Sequence, residues 1–197
     1  MSKRNALLPA AVFGALFLTS AVVGPVIAQD KMMSSEKTVM VGGAPMFPSK
    51  NIVENAVNSK DHTTLVAAVK AAGLVDTLAS PGPFTVFAPV NAAFAKLPAG
   101  TVDTLLKPEN KGTLTTVLTY HVVPGRLTAV NLMKAVKDGN GEAKFKTVAG
   151  GEIIVKSPSA GKLTITDAKG GTSSVTINDV LQSNGVIHVI DTVLLPS

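Results

Sequence analysis

Cysteine is absent from all 197 residues, which excludes disulfides, thiolate metal sites, a cysteine nucleophile and a lipid-anchored amino-terminal cysteine. There is no tryptophan and one tyrosine, so neither an aromatic cage nor a stacking platform for nucleobases is expected. Charged residues are scarce at 16%, against 46% hydrophobic, which is too apolar a balance for a disordered chain. Arginine is almost missing: after Arg4 the only one is Arg126. Recognition of bases and phosphates favours arginine's planar fork, and the lysines here are scattered among Asp and Glu. The net charge of +5 therefore reads as a solvated surface, and no nucleic-acid partner is expected. Long hydrophobic runs are missing as well. The clean stretch Ala10 to Leu18 falls short of the roughly 20 residues that cross a bilayer.

What is present at the amino terminus is an export signal over residues 1–28. Lys3 and Arg4 form its positive end, an apolar stretch runs from Ala6 to Val23, and Val26-Ile27-Ala28 fits a cleavage site. A permanent anchor is the competing reading, but no stable membrane span is expected after cleavage. Removing 28 of 197 residues leaves 169, and taking Lys3 and Arg4 from the net charge of +5 leaves +3. That is room for one domain. Residues 29–49 are rich in Met, Ser and Gly, contain Pro45 and Pro48, and show no period, so they read as an extended lead-in arm. Met32, Met33, Met40 and Met46 have no His or Cys among them, and a soft-metal site is not expected there.

From Asn51 the pattern is helical. Asn51 and Glu54 have capping-box spacing, with Ile52, Val53, Ala56 and Val57 on one face. Asp61 is a candidate cap for a helix carrying Leu65, Val69 and Ala72, and Gly73 ends it. Phe84 to Ala88 is a strand stopped by Pro89. Helical segments follow at Asn91–Leu97, from Thr101 as a cap, and at Lys111–Thr119. Tyr120 to Val123 reads as a strand and Thr128–Val136 as a helix. Strands are expected at Ala143–Val148, Glu152–Lys156, Leu163–Asp167, Ser174–Ile177 and Val186–Leu194. Helices first and strands later argue for an α+β domain over residues 50–197, helices covering a largely antiparallel sheet.

Catalytic signals are weak. His62, His121 and His188 stand about 60 residues apart, without metal-ligand spacing. His62 follows a helix cap and is expected to be exposed, whereas His121 and His188 lie in apolar runs where a histidine is hydrogen-bonded in or beside a sheet. No GxSxG elbow presents a serine, and the paired glycines read as turns and not as phosphate cradles. No catalytic residue, metal or cofactor is expected.

Three stretches carry a family resemblance. Gly82-Pro83-Phe84-Thr85-Val86-Phe87-Ala88-Pro89-Val90-Asn91-Ala92-Ala93-Phe94 resembles the first signature block of the fasciclin domain. Asn184-Gly185-Val186-Ile187-His188-Val189-Ile190-Asp191-Thr192-Val193-Leu194-Leu195-Pro196 resembles the second. Between them, Leu118 to Gly125 is similar to the family's Tyr-His segment. Val90 departs from the pattern, where a small hydroxyl residue is common, and a local hydrogen bond is expected to be lost there. The resemblance implies a fasciclin-like fold and a secreted, non-catalytic adhesion or matrix module, closest to single-domain bacterial and mycobacterial members. The alternative is a periplasmic protein that binds a small ligand or lipid. The partner implied is a cell-surface or matrix protein or glycan, met by a monomer outside the cell or in the periplasm.

In animal members the implied contact positions correspond to Tyr120-His121 and to Asp179-Val180, where Val replaces the family's Ile. For Tyr120 and His121 the competing role is structural and internal. For Asp179 it is capping of a helix or turn after Asn178, in a polar connection before the last strand. The blocks also read as scaffold: Phe84, Phe87 and Phe94 are three of the five phenylalanines after residue 28, and the final apolar run leaves no polar face, as in a strand covered on both sides.

Overall fold

A computed structural model describes residues 37–159 and 161–196. The expected export signal over residues 1–28, with Met32 and Met33, lies outside the described residues. The described part of the lead-in is not a plain arm. It forms a hairpin of β1 (Val39–Val41) and β2 (Ala44–Met46), turning at Gly42 and Gly43, which both adopt positive φ. Val41 and Met46 are buried in the core, so pairing across the turn delivers two apolar side chains that the sequence spacing does not announce.

Helices then form one layer. α1 (Ile52–Ala56) starts with the expected capping box: Glu54 N–H donates to Asn51 Oδ1, and Asn51 N–H donates to the Glu54 carboxylate. A 3₁₀ turn (Lys60–His62) leads into α2 (Thr63–Ala72). His62, not Asp61, stands at the start of α2, and no side chain caps it. Gly73 ends α2 in the left-handed conformation. α3 (Val75–Ala79) precedes strand β3 (Phe84–Pro89). α4 (Asn91–Ala95) begins at Val90 without a side-chain cap, as the departure at that position predicts. α5 (Thr101–Leu106) begins at Gly100 with φ of 80°, so Thr101 is not its cap. α6 (Lys111–Tyr120) buries Leu114, Val117 and Leu118 and packs on α2, whose Leu65, Ala68, Val69 and Ala72 share the facing stripe.

The remaining elements are β4 (Val122–Pro124), α7 (Ala129–Asp138), β5 (Glu142–Lys146), β6 (Glu152–Ser159), β7 (Lys162–Thr166), β8 (Thr172–Gln182) and β9 (Gly185–Ile190). Seven strands form one sheet in the order β4-β3-β9-β8-β7-β6-β5. The expected α+β architecture is present, but the sheet is mixed: β3 and β9 run parallel, with Phe84 beside Gly185 and Pro89 beside Ile190. Parallel neighbours need a long crossover, and here most of the domain supplies it.

Every residue of β9 is buried, because β3 and β8 flank it and both faces are covered. On one face lie the helices α1 to α6 with Val86, Ile187 and Val189. On the other, Phe87, Ile190 and the inner residues of β6 and β7 meet Leu132 and Val136 of α7. Each large apolar side chain so buried stabilises the fold by roughly 1.5–3 kcal/mol. The final strand stops at Ile190, earlier than the apolar pattern suggests. Val193 and Leu194 leave the sheet yet remain buried.

Candidate functional site

Tyr120 is the last residue of α6 and His121 its C-cap, so the Tyr-His pair is not on a strand. The local composition is β-like, but helical geometry is what carries the phenol across the interior. Tyr120 Oη donates to the Glu152 carbonyl at 2.6 Å and accepts from Ala168 N–H at 3.0 Å. Leu194 N–H donates to His121 Nε2 at 2.9 Å, which leaves the ring proton on Nδ1, where it donates to the Val117 carbonyl at 2.7 Å. Burial pulls the His121 pKa down to about 4, against the opposing pull of the Val117 carbonyl. One residue further, Leu195 N–H donates to Asp167 Oδ2 at 3.0 Å. Tyr120 and His121 thus tie turns and the carboxyl-terminal residues to the core. Both are buried and present no surface to a partner in this conformation.

Asp179 lies within β8, not in a polar turn, because β8 continues through two register shifts, one between Val175 and Ile177 and one between Ile177 and Val180. Asp179 sits there with φ of 53°, a left-handed conformation that Asp tolerates better than most residues. The kink turns its carboxylate to α7, where Ala129 N–H donates to Oδ1 at 2.7 Å. The cap expected just after Asn178 is not formed there; Asp179 instead caps the start of α7, across 50 residues. Thr128 and Asn131 add a capping box at the same helix start. Beneath, Asp179 N–H lies 3.4 Å from His188 Nδ1, and His188 Nε2–H donates to the Leu127 carbonyl at 2.8 Å. Burial lowers the pKa of His188. Val180 is buried against Ile187 and is not available for contact. Asp179 is half-buried, with Val130 (68% exposed) next to the residue it caps and Leu181 (41% exposed) two positions along β8.

His62 is also buried, contrary to its expected exposure. Its Nδ1 is 2.9 Å from Ser59 Oγ, and burial lowers its pKa. The spacing of three between Ser59 and His62 was the available signal, since one helical turn brings such side chains together. Among the described residues no carboxylate hydrogen-bonds to any of the three histidines, and Ser59 is itself buried. Among the described residues no group of His, Cys, Asp or Glu converges as a metal site. An apolar cavity between α1, α2 and the sheet measures about 50 Å³, lined by residues such as Val69, Leu118 and Ile187. Sites for drug-sized ligands occupy roughly 300–1,000 Å³, so this cavity gives little support to the small-ligand or lipid alternative.

The signature blocks serve mainly as scaffold. Thr85 Oγ1 donates to the Gly125 carbonyl and accepts from Leu127 N–H, and Asn91 Oδ1 accepts from Thr64 N–H. Both satisfy backbone donors in distant segments.

Two sequence blocks side by side on a parallel strand pair, under a layer of short helices, define an α+β module of the fasciclin type. The chain belongs to the fasciclin family: the Fasciclin domain model matches residues 60–196. It is 47% identical to protein sll1483 of Synechocystis sp. over 181 residues, 91% of this chain and 92% of that protein. It is 34% identical over 180 residues to the immunogenic protein MPB70 of Mycobacterium bovis, 89% of this chain and 82% of that one. Among solved structures, a fasciclin domain pair from the insect cell adhesion molecule Fasciclin I matches with a TM-score of 0.53 at 23% identity. The match covers 66% of this chain and spans only 43% of that domain pair. Among the described residues no helix is long and apolar enough to cross a membrane.

Proposed function

We propose that this protein is a secreted, non-catalytic adhesion or surface-binding module that recognises a cell-surface or matrix protein or glycan. Membership of the fasciclin family across residues 60–196 carries this reading, and a fold shared with an insect cell adhesion molecule supports it. The histidines, all buried and without a carboxylate hydrogen bond among the described residues, favour a binding role over catalysis. Of the four residues that the resemblance points to, Asp179 alone reaches the surface, and exposed Val130 and Leu181 stand beside it in the chain and at the capped helix start. We assign the contact surface to this patch. Beads coated with the protein should attach to cells or matrix, and Val130→Lys with Leu181→Lys should reduce attachment without lowering the melting temperature. Attachment unchanged in that folded double variant removes the patch, and absence of attachment by the wild type removes the adhesion reading. Export is tested by mass spectrometry of the protein outside the cytoplasm, where the chain should begin near Gln29. Intact residues 1–28 in a membrane fraction would instead mean a tethered domain.

A further inference from the structure

The loop after β4 carries Arg126, the only arginine beyond Arg4, into a concavity at one end of the sheet. The start of α1 (Asn51), the Pro81–Pro83 loop and the β8–β9 turn (Ser183 and Asn184) form its other walls. It is an open groove of about 640 Å³ and not an enclosed pocket.

These walls are fixed before any ligand arrives. Asn184 Oδ1 accepts from Ile52 N–H at 3.1 Å, and its amide donates to the carbonyls of Leu78 (2.7 Å) and Ser80 (3.0 Å). Ser183 N–H donates to the Lys50 carbonyl at 2.9 Å, and Gly125 N–H donates to the Pro83 carbonyl at 2.7 Å. Such preorganisation removes an ordering cost from binding. Arg126 is held as well, since one Nη2 hydrogen goes to the Gln182 carbonyl. A guanidinium has five N–H donors, and among the described residues no carboxylate pairs with this one. Glu54, beside the Asn51 wall, is engaged by Asn51 N–H.

The donors left over select the ligand. A free guanidinium edge favours a planar carboxylate, gripped by two parallel hydrogen bonds. The Ser183 hydroxyl and Asn51 amide suit hydroxyl groups, and the Pro81 and Pro83 rings offer apolar faces to the C–H side of a sugar ring. Proline has no N–H, so this wall is poorly equipped to form the backbone ladder that an extended peptide uses. We propose that the Arg126 groove binds a uronate-containing acidic glycan, its carboxylate on the guanidinium. This rests on the surface-binding reading above and gives that reading a ligand chemistry.

The test is calorimetric titration of the full chain with trigalacturonate, with its methyl ester and with the acidic peptide Glu-Gly-Glu. Trigalacturonate should bind. The ester, and Arg126→Gln at an unchanged melting temperature, should each weaken binding about tenfold or more, and Ser183→Ala should weaken it less. No binding of trigalacturonate, equal binding of its ester, or an unaffected Arg126→Gln variant would overturn the proposal. Peptide binding as tight as the glycan's would also overturn it, by making the groove a peptide site. Bead attachment separates the two readings. Attachment without glycan binding removes the groove alone, whereas glycan binding without attachment removes adhesion and leaves the groove.

Discussion

Mild acid should weaken this fold, and His121 sets the size of the effect. Its Nε2 accepts the Leu194 N–H, and a protonated ring would point a second N–H at that donor in a buried site. The folded-state pKa is about 4, below the ordinary value of 6.5. The unfolded chain therefore binds the proton more readily between those values, and stability falls as pH falls. The contribution is complete above about pH 6.5 and is lost towards the folded pKa. At pH 4 the loss from this residue comes to about 3 kcal/mol, a large share of the 5–15 kcal/mol typical of a domain. Urea unfolding followed by circular dichroism at pH 7, 6, 5 and 4 measures it. His121→Gln separates this effect from the carboxylates, since it can keep an acceptor for Leu194 but cannot titrate. The variant should be less stable than wild type at pH 7 and should lose less on acidification. Identical pH slopes for variant and wild type between pH 7 and 5 would refute the role assigned to His121. Burial lowers the pKa of His62 and His188 in the same direction, so part of the slope should remain in the variant.

Phe87→Ala should cost about 3–5 kcal/mol, because the ring is fully buried and stacks on His188 at 5.6 Å; thermal or urea denaturation checks this. Tyr120→Phe keeps the packing but strands the Glu152 carbonyl and Ala168 N–H, and should cost about 1–3 kcal/mol by the same measurement. Asp179→Asn keeps the left-handed backbone and should cost less than Asp179→Ala, whose lost helix cap alone is worth about 0.5–2 kcal/mol. Equal losses in the two Asp179 variants would show that the cap and the backbone conformation are not what matters there.

Local signals were legible where local physics decides the outcome. The Asn51–Glu54 box, the α6 stripe and the fully buried β9 follow from spacing and composition. The β1–β2 hairpin does not, because its three-residue strands are stabilised by burying Val41 and Met46 in a distant core. Tyr120 was misplaced for a similar reason. A Tyr-His-Val-Val run favours a strand, but the phenol's partners Glu152 and Ala168 hold Tyr120 at the end of a helix. Nor does a sequence reveal that β3 and β9, about a hundred residues apart, are parallel neighbours. The resemblance led to Asp179, but its helix partner Ala129 lies in another segment, and the burial of Val180 follows from a strand extended by two bulges.

The parallel pairing of β3 with β9, and the anchoring of Leu194 and Leu195 to His121 and Asp167, bear on the order of events during synthesis. The neighbour of β3 at the sheet's centre is among the last parts of the chain to be made. Until then Phe87 and Val86 face a missing strand, and neither side of the sheet has its full core. A ribosome-bound chain ending before Gly185 should therefore stay unfolded and open to proteases, however many helices it already contains. The proposed export would suit that order: a machine that threads unfolded polypeptide would meet the chain before it can lock, and closure would wait until its carboxyl end arrives on the far side.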